Sequence, residues 1–231
     1  MMNKLLMEEQ IEINKNGSYF IELTEDLKEL HITDNTSCEL LLYGKELTHE
    51  IKISVGENAS LFCQNFFENV SSTFEIYLEK YKASIEVVHS MITSKEENTK
   101  FIVHHKAKNT SSIFTNHIVN FGDSLASIQV DAYVPKNISE CILNQDNKII
   151  LVGNGKGKIL PNLFIDEFTS YAKHSAYISK FSKEELFYLK SRGIDEDNAN
   201  FLLIKSFLLG KMKLDSLFLQ KFTEYLQDIR R

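Results

Sequence analysis

Little in this chain is of the kind that staples a protein together or anchors it. The three cysteines, Cys38, Cys63 and Cys141, lie far apart and form no Cys-x-x-Cys pair. That excludes a disulfide framework and a zinc site built from cysteines alone. No apolar run approaches the roughly 20 residues that cross a bilayer. The longest, Phe201 to Leu209, is short and broken by Lys205 and Ser206. The N-terminal region carries Glu8, Glu9 and Glu12 where a signal peptide would need an apolar stretch. The expectation is a cytoplasmic protein that makes no use of a membrane.

An excess of basic charge is also lacking, with 26 Lys and Arg against 32 Asp and Glu. The net charge is −6 and no basic patch emerges, which argues against nucleic acid as a partner. Gly153-Asn-Gly-Lys-Gly-Lys158 has the composition of a phosphate loop without its spacing. A phosphate loop ends in Gly-Lys-Ser/Thr and opens a helix, whereas Ile159, Leu160 and Pro161 follow here, so the segment reads as a turn and no nucleotide site is expected. No Gly-x-Ser-x-Gly elbow or His-Glu-x-x-His zinc motif occurs. Nor do the strand-like runs hold the clustered carboxylates that a sugar-cleaving β-helix enzyme needs. The chain is expected not to be an enzyme and to hold no stable cofactor by itself.

Hydrophobic residues at 43% and charged residues at 25% are ordinary for a globular protein, and they are distributed in two textures. Up to about residue 166 the chain is a series of short strand-like runs. Ile51-Lys-Ile-Ser-Val55, Phe74-Glu-Ile-Tyr-Leu78, Phe101-Ile-Val-His-His105 and Ser127-Ile-Gln-Val-Asp131 alternate apolar with polar, the period of a strand with one buried face. Ala59, Ala83, Ala107 and Ala132 recur about every 24 residues after such runs. A period in the twenties fits one coil of a β-solenoid, although an antiparallel sandwich would show similar runs.

Helical signals take over in 167–231. Ser182-Lys-Glu-Glu185 is a capping box, and Gly193 stops the helix it opens. Asp195 caps a second helix that ends at Gly210. In a third, from about Asp215, the residues Leu217, Phe218, Phe222, Tyr225, Leu226 and Ile229 share one face. These helices are expected to cap the open end of the β-region, where strand edges would otherwise be exposed.

Pro161-Asn-Leu-Phe-Ile-Asp166, then His174-Ser-Ala, then Glu185-Leu-Phe-Tyr-Leu-Lys-Ser-Arg-Gly-Ile194 resemble, in residues and spacing, the C-terminal signature of the SufB/SufD family of iron–sulfur cluster assembly subunits. Weaker likeness lies upstream, in Val103–Ser112 and Asp146–Val152. The resemblance implies a right-handed parallel β-helix followed by C-terminal helices, with 1–166 as the β-helix core and 167–231 as the helical segment. It implies a non-catalytic scaffold of a SUF-type complex with two partners. One is a SufC-like ABC ATPase, docked through the helical segment around Phe187, Tyr188, Arg192 and Gly193. The other is a SufB/SufD-like subunit or a second copy of this chain. A β-solenoid that kept the fold and lost the cluster role is the alternative.

Two residues stand out for a transient cluster. His174 matches the family histidine implicated in cluster assembly, and imidazole is a competent iron ligand. Cys141 is the cysteine nearest in sequence to the late strand where SufB carries its cluster-holding thiol; the aligned position itself is Asp146, and Ser175 replaces the glycine that usually follows the histidine. Cys38 and Cys63 read as small core fillers. His104 and His105 are adjacent, so in a strand they point to opposite faces and cannot share a metal; His117 could join one of them from a neighbouring coil.

Overall fold

The computed structural model describes residues 2–5 and 8–229, apart from the side chains of Asp228 and Ile229. Thirteen strands are followed by three helices. The strands are β1 (Asn3–Lys4), β2 (Gln10–Ile13), β3 (Gly17–Glu22), β4 (Glu29–Ile32), β5 (Ser37–Val55), β6 (Ser60–Leu78), β7 (Ser84–Thr93), β8 (Glu97–His105), β9 (Ser111–Asn120), β10 (Leu125–Val134), β11 (Ile142–Leu151), β12 (Lys156–Ile165) and β13 (Tyr171–Ser179). The helices are α1 (Lys183–Ser191), α2 (Glu196–Leu209) and α3 (Ser216–Ile229). Every strand pairing is parallel. The strands wind into a right-handed β-solenoid of about six turns, as the family resemblance implies.

Each turn contributes to two faces. Sheet one stacks β1, β3, the first half of β5, the first half of β6, β7, β9, β11 and β13. Sheet two stacks β2, β4, the second halves of β5 and β6, β8, β10 and β12. The 19-residue strands β5 and β6 serve both sheets because one residue in each, Glu46 (φ 50°) and Asn69 (φ 49°), takes the left-handed conformation and bends the strand.

At the other corner the chain repeats one device. Asn35, Asn58, Lys82, Asn109 and Glu140 all have positive φ and each stands two residues before a sheet-one strand. The residue after each is small and buried: Thr36, Ala59, Ala83, Thr110 and Cys141. Ala59 and Ala83 are therefore equivalent, as their spacing suggests. Ala107 is not, because the coil has lengthened and Thr110 takes the place. Ala132 is on the other sheet, opposite Val103. From Ser37 the register passes through Ser60, Ser84, Ser111, Ile142 and Tyr171, so the coil grows from 23 residues to about 30.

The inward alternation fills the lumen. Phe67, Phe74, Phe101 and Phe114 stack through its middle with ring centroids 4.9–6.2 Å apart. Strand structure continues past Asp166 as β13, since nine residues lie in register on β11. The all-β part thus reaches Ser179 and the helices begin at Lys183.

The helices do not cap the open end. α2 and α3 lie across the outer face of sheet one, where Phe20, Leu41, Phe66, Ile92, Val119 and Ile150 meet Ile204, Leu208, Leu209, Phe222 and Leu226. Phe66 and Phe222 stack at 4.2 Å. The reason is local. The outward positions of sheet one are themselves apolar, and burying them recovers about 25 cal/mol per Å², whereas a helix end-on to the strands covers less. The capping box at Ser182 and the Asp195 cap form as expected, and Phe218, Phe222, Tyr225 and Leu226 of α3 share the packed face, but Leu217 points to solvent and Ile229 lies outside the described side chains.

Candidate functional site

Among the described residues the two ends of the solenoid differ in chemistry. At the N-terminal end β1 pairs only with β3 and β2 only with β4, leaving two edges free, and β2 carries exposed Gln10 and Glu12 with Glu8 and Glu9 just before it. Charge on a free edge discourages strand addition. At the C-terminal end β12 pairs only with β10 and β13 only with β11, leaving two edges free. That end is ringed by exposed Leu160, Phe164, Tyr171, Tyr177 and Ile178, with Phe168 fully exposed on the connecting loop. No sequence argument above found this ring. The density of Phe and Tyr between 164 and 177 is its signal, but only the end of the coil stack leaves those side chains uncovered.

His174 sits in this end. Its register partner is Gln145, which points into the lumen and is buried. His174 thus occupies an inward position in the last turn and stays exposed because no further coil covers it. Its Nδ1 lies 2.9 Å from the carbonyl oxygen of Pro161 across the lumen in β12, which fixes the ring and leaves Nε2 for a ligand. Ser175 donates to Asp146 Oδ1 at 2.6 Å. Burial would raise the Asp146 carboxyl, but the hydrogen bonds from Ser175 and Lys148 outweigh it and hold the group below its ordinary value. Asp146 therefore stands one register step from His174, on the opposite, outward face of sheet one.

Cys141 is not brought to His174. It is the buried corner residue before β11, with Sγ 3.3 Å from Thr110 Oγ1 and 3.6 Å from the Ile138 carbonyl oxygen. There the thiol plays the same part as the Thr110 hydroxyl one coil earlier, which donates to the Ala107 carbonyl at 2.9 Å. Cys38 and Cys63 are also buried, and burial pushes both thiols up, Cys38 to about 11. Among the described residues no three His, Cys, Asp or Glu side chains converge as a metal site would require.

The other histidines separate as the alternation requires. His105 points inward and bonds Thr110 and Ser112, while His104 lies outside in a stacked column with Tyr77, Tyr133 and Phe164. His117 joins neither; it meets the helical tail.

The second surface is α1, which buries none of its residues. The i to i+1 geometry suggests that Phe187 or Tyr188 faces the β-helix end, but neither does, at 73% and 58% exposure. With α2 and α3 already covering the apolar strip of sheet one, α1 has no apolar face left to rest on. Arg192 lays its guanidinium over the Tyr188 ring at 5.4 Å. Gly193, at φ +82°, ends the helix in a Schellman turn: its N–H donates to the Lys190 carbonyl and that of Ile194 to Leu189.

These features have counterparts among known proteins. Residues 47–207 match the family model for the core domain of SufBD, of SUF system FeS cluster assembly. The chain belongs to the SufBD family. Within this SufBD core lie most of the solenoid, α1 and most of α2. Over 118 residues it is 28% identical to an iron–sulfur cluster assembly SufBD family protein of Synechocystis, covering 48% of this chain and 23% of that one. Over 127 residues it is 28% identical to the iron–sulfur cluster assembly protein SufD of Bacillus subtilis, covering 48% and 29%. A 64-residue stretch is 41% identical to a SufBD family protein of Mycobacterium leprae, 26% of this chain and 16% of that one. The matched stretches thus span between 16% and 29% of the length of these relatives. No helix among the described residues is long and apolar enough to cross a membrane.

Proposed function

We propose that this chain is a non-catalytic scaffold subunit of a SUF-type complex, working in the cytoplasm. The observation that carries the reading is the asymmetry of the solenoid ends. One end carries acidic side chains on its edge strand β2; the other mixes exposed aromatic and aliphatic side chains with Lys156, Lys158 and Lys173 and holds an accessible histidine. A free edge beside exposed aromatic side chains invites strand addition by a partner, here a second SufBD-type subunit or another copy of the chain. His174 would then supply one ligand to an iron–sulfur cluster held transiently across the junction, with thiolates from the partner, because clusters favour thiolate ligands. Cys141 could contribute only after its corner opened. The cluster is cargo, and the isolated chain holds no cofactor stably.

We assign α1 to docking an ABC-type ATPase of the SufC kind, through Phe187 and Tyr188, with Arg192 and Gly193 shaping the end of that helix. Exposed adjacent aromatics are the residue types that dominate binding energy at interfaces. Co-expression with a SufC-like ATPase tests this. The double variant Phe187→Ala, Tyr188→Ala is expected to weaken binding at least tenfold while shifting stability by no more than about 0.5 kcal/mol per site, since both are surface positions. Undiminished binding removes α1 from the interface.

His174→Ala is expected to leave the urea midpoint nearly unchanged, again within about 0.5 kcal/mol, and to impair cluster maturation by the assembled complex. Normal maturation with normal assembly favours the second reading, a SufBD-type interaction protein that has lost the cluster role. The aligned Asp146 in place of a cysteine is the observation on its side.

A further inference from the structure

The end of α2 is capped in an unusual way. An α-helix leaves its last four carbonyls without partners, and α2 lacks the usual local remedies. Gly210 is right-handed, at φ −65°, and no basic residue lies in the last turn. Gly210 N–H serves Ser206, and Met212 N–H serves Leu209. The two between are served by sheet one: His117 Nδ1 lies 2.7 Å from the Phe207 carbonyl oxygen, and Ser90 Oγ donates to that of Leu208 at 2.6 Å. One coil earlier, Gln64 both accepts from the Lys213 N–H at 2.6 Å and donates to its carbonyl at 3.2 Å. Gln64, Ser90 and His117 come from β6, β7 and β9 and form a socket for this one helix end.

We propose that the helical tail is a pH-sensitive strap: with His117 neutral it is clamped to sheet one, and with His117 protonated α2 and α3 release from that face while the solenoid stays folded. His117 is buried, and its ring stacks on Phe207 at 4.4 Å. Nδ1 carries the hydrogen that Phe207 accepts, and Nε2 is buried with no partner. A neutral ring tolerates this, because Nε2 then presents only a lone pair. Protonation places an N–H there with nothing to receive it, and an unsatisfied buried donor is costly, more so when charged.

The groups around it do not compensate. Lys148 on β11 and Lys211 just beyond α2 oppose a positive ring, and His89 lies behind it on the inner side of β7. Asp146 on β11 favours the charge but is engaged by Lys148 at 3.1 Å and by Ser175. The negative end of α2 also favours it. Burial is the largest influence and lowers the affinity of His117 for a proton. Release would uncover Leu41, Phe66, Ile92 and Val119, an apolar strip running across four coils.

Hydrogen-exchange protection factors, measured on the full chain at pH 7.5 and 5.5, test the proposal. Amides of α2 and α3 are expected to lose about tenfold in protection, the most that one histidine with an exposed value near 6.5 gives over this range. In His117→Asn, whose amide can still donate to Phe207 but does not titrate, the same amides are expected to keep their protection. An equal loss in both proteins, or no loss in the wild type, overturns the proposal. Should the tail of the variant already be loose at pH 7.5, NMR titration of the His117 ring in the wild type decides: its midpoint must lie below the 6.5 of a free imidazole, with tail protection falling as the pH drops from about 6.5 toward it, and a midpoint at 6.5 or above overturns the proposal.

Discussion

Acidification from pH 7.5 to 5.0 is expected to remove about 4 kcal/mol of stability, through two histidines held neutral inside the solenoid. His89 is fully buried, edge-on to Phe67 and Phe101 at 5.4 and 5.6 Å, with no partner for Nδ1. Burial, with a smaller push from His117, lowers it to about 3. Burial, with a smaller push from His104, lowers His105 to about 4. In the unfolded chain both would titrate near 6.5. Below that pH the unfolded state binds more protons than the native one, so the contribution is complete above about 6.5 and fades as pH falls toward the native values. At pH 5.0 each histidine has lost about 1.5 units at 1.36 kcal/mol per unit, or about 2 kcal/mol. Two such losses are a large part of a typical 5–15 kcal/mol total. Urea midpoints at the two pH values measure it. Equal midpoints would show that these imidazoles are not held neutral by the fold.

Phe101→Ala is expected to cost 3–5 kcal/mol, the range for deleting a buried aromatic ring. Phe101 has no exposed surface and lies in the middle of the lumen stack, 4.9 Å from Phe74 and 5.2 Å from Phe114. Strands in register on both sides, β6 and β10, hold its backbone. The coil therefore cannot collapse into the gap, and the loss should sit at the upper end. Removing the ring also takes away one of the two apolar walls around His89. The variant should consequently lose less on acidification than the wild type, because water can then reach that imidazole. A loss below about 1.5 kcal/mol would mean that the lumen repacks, contrary to a close-packed interior. Phe187→Ala, the same deletion at an exposed site, serves as the control.

The fold was legible where local rules are strict. Alternation in Phe74–Leu78 and Phe101–His105 marks one-faced strands, and Ser182 with Glu185 marks a helix start whose two reciprocal hydrogen bonds form as read. The alanine period was half legible. A corner needs a small buried residue, but Ala, Thr and Cys all satisfy it, so the column Ala59, Ala83, Thr110, Cys141 hides from a search for alanine. For the same reason a cysteine near the expected cluster position became a corner residue: its small size, not its sulfur, suits the place. At the site, the Glu185–Ile194 run and His174 were legible as a family signature.

The sequence by itself determined the one-faced strands between Ile51 and Asp131 and the helix starts at Ser182 and Asp195, which follow from short-range rules of periodicity and capping readable within some ten residues. That the strands coil came from the family signature, since periodicity alone fits a sandwich as well, and β13 fell in the segment read as helical. Only the tertiary structure decided what lies beside what. It laid the helices along sheet one rather than over the open end, because outward Phe66, Ile92 and Val119 needed cover. It turned both Phe187 and Tyr188 to solvent, and it seated the end of α2 on Gln64, Ser90 and His117, up to 149 residues away in the chain. Such contacts depend on register accumulated over several coils, and a coil that grows from 23 residues to about 30 carries no fixed period from which that register could be counted.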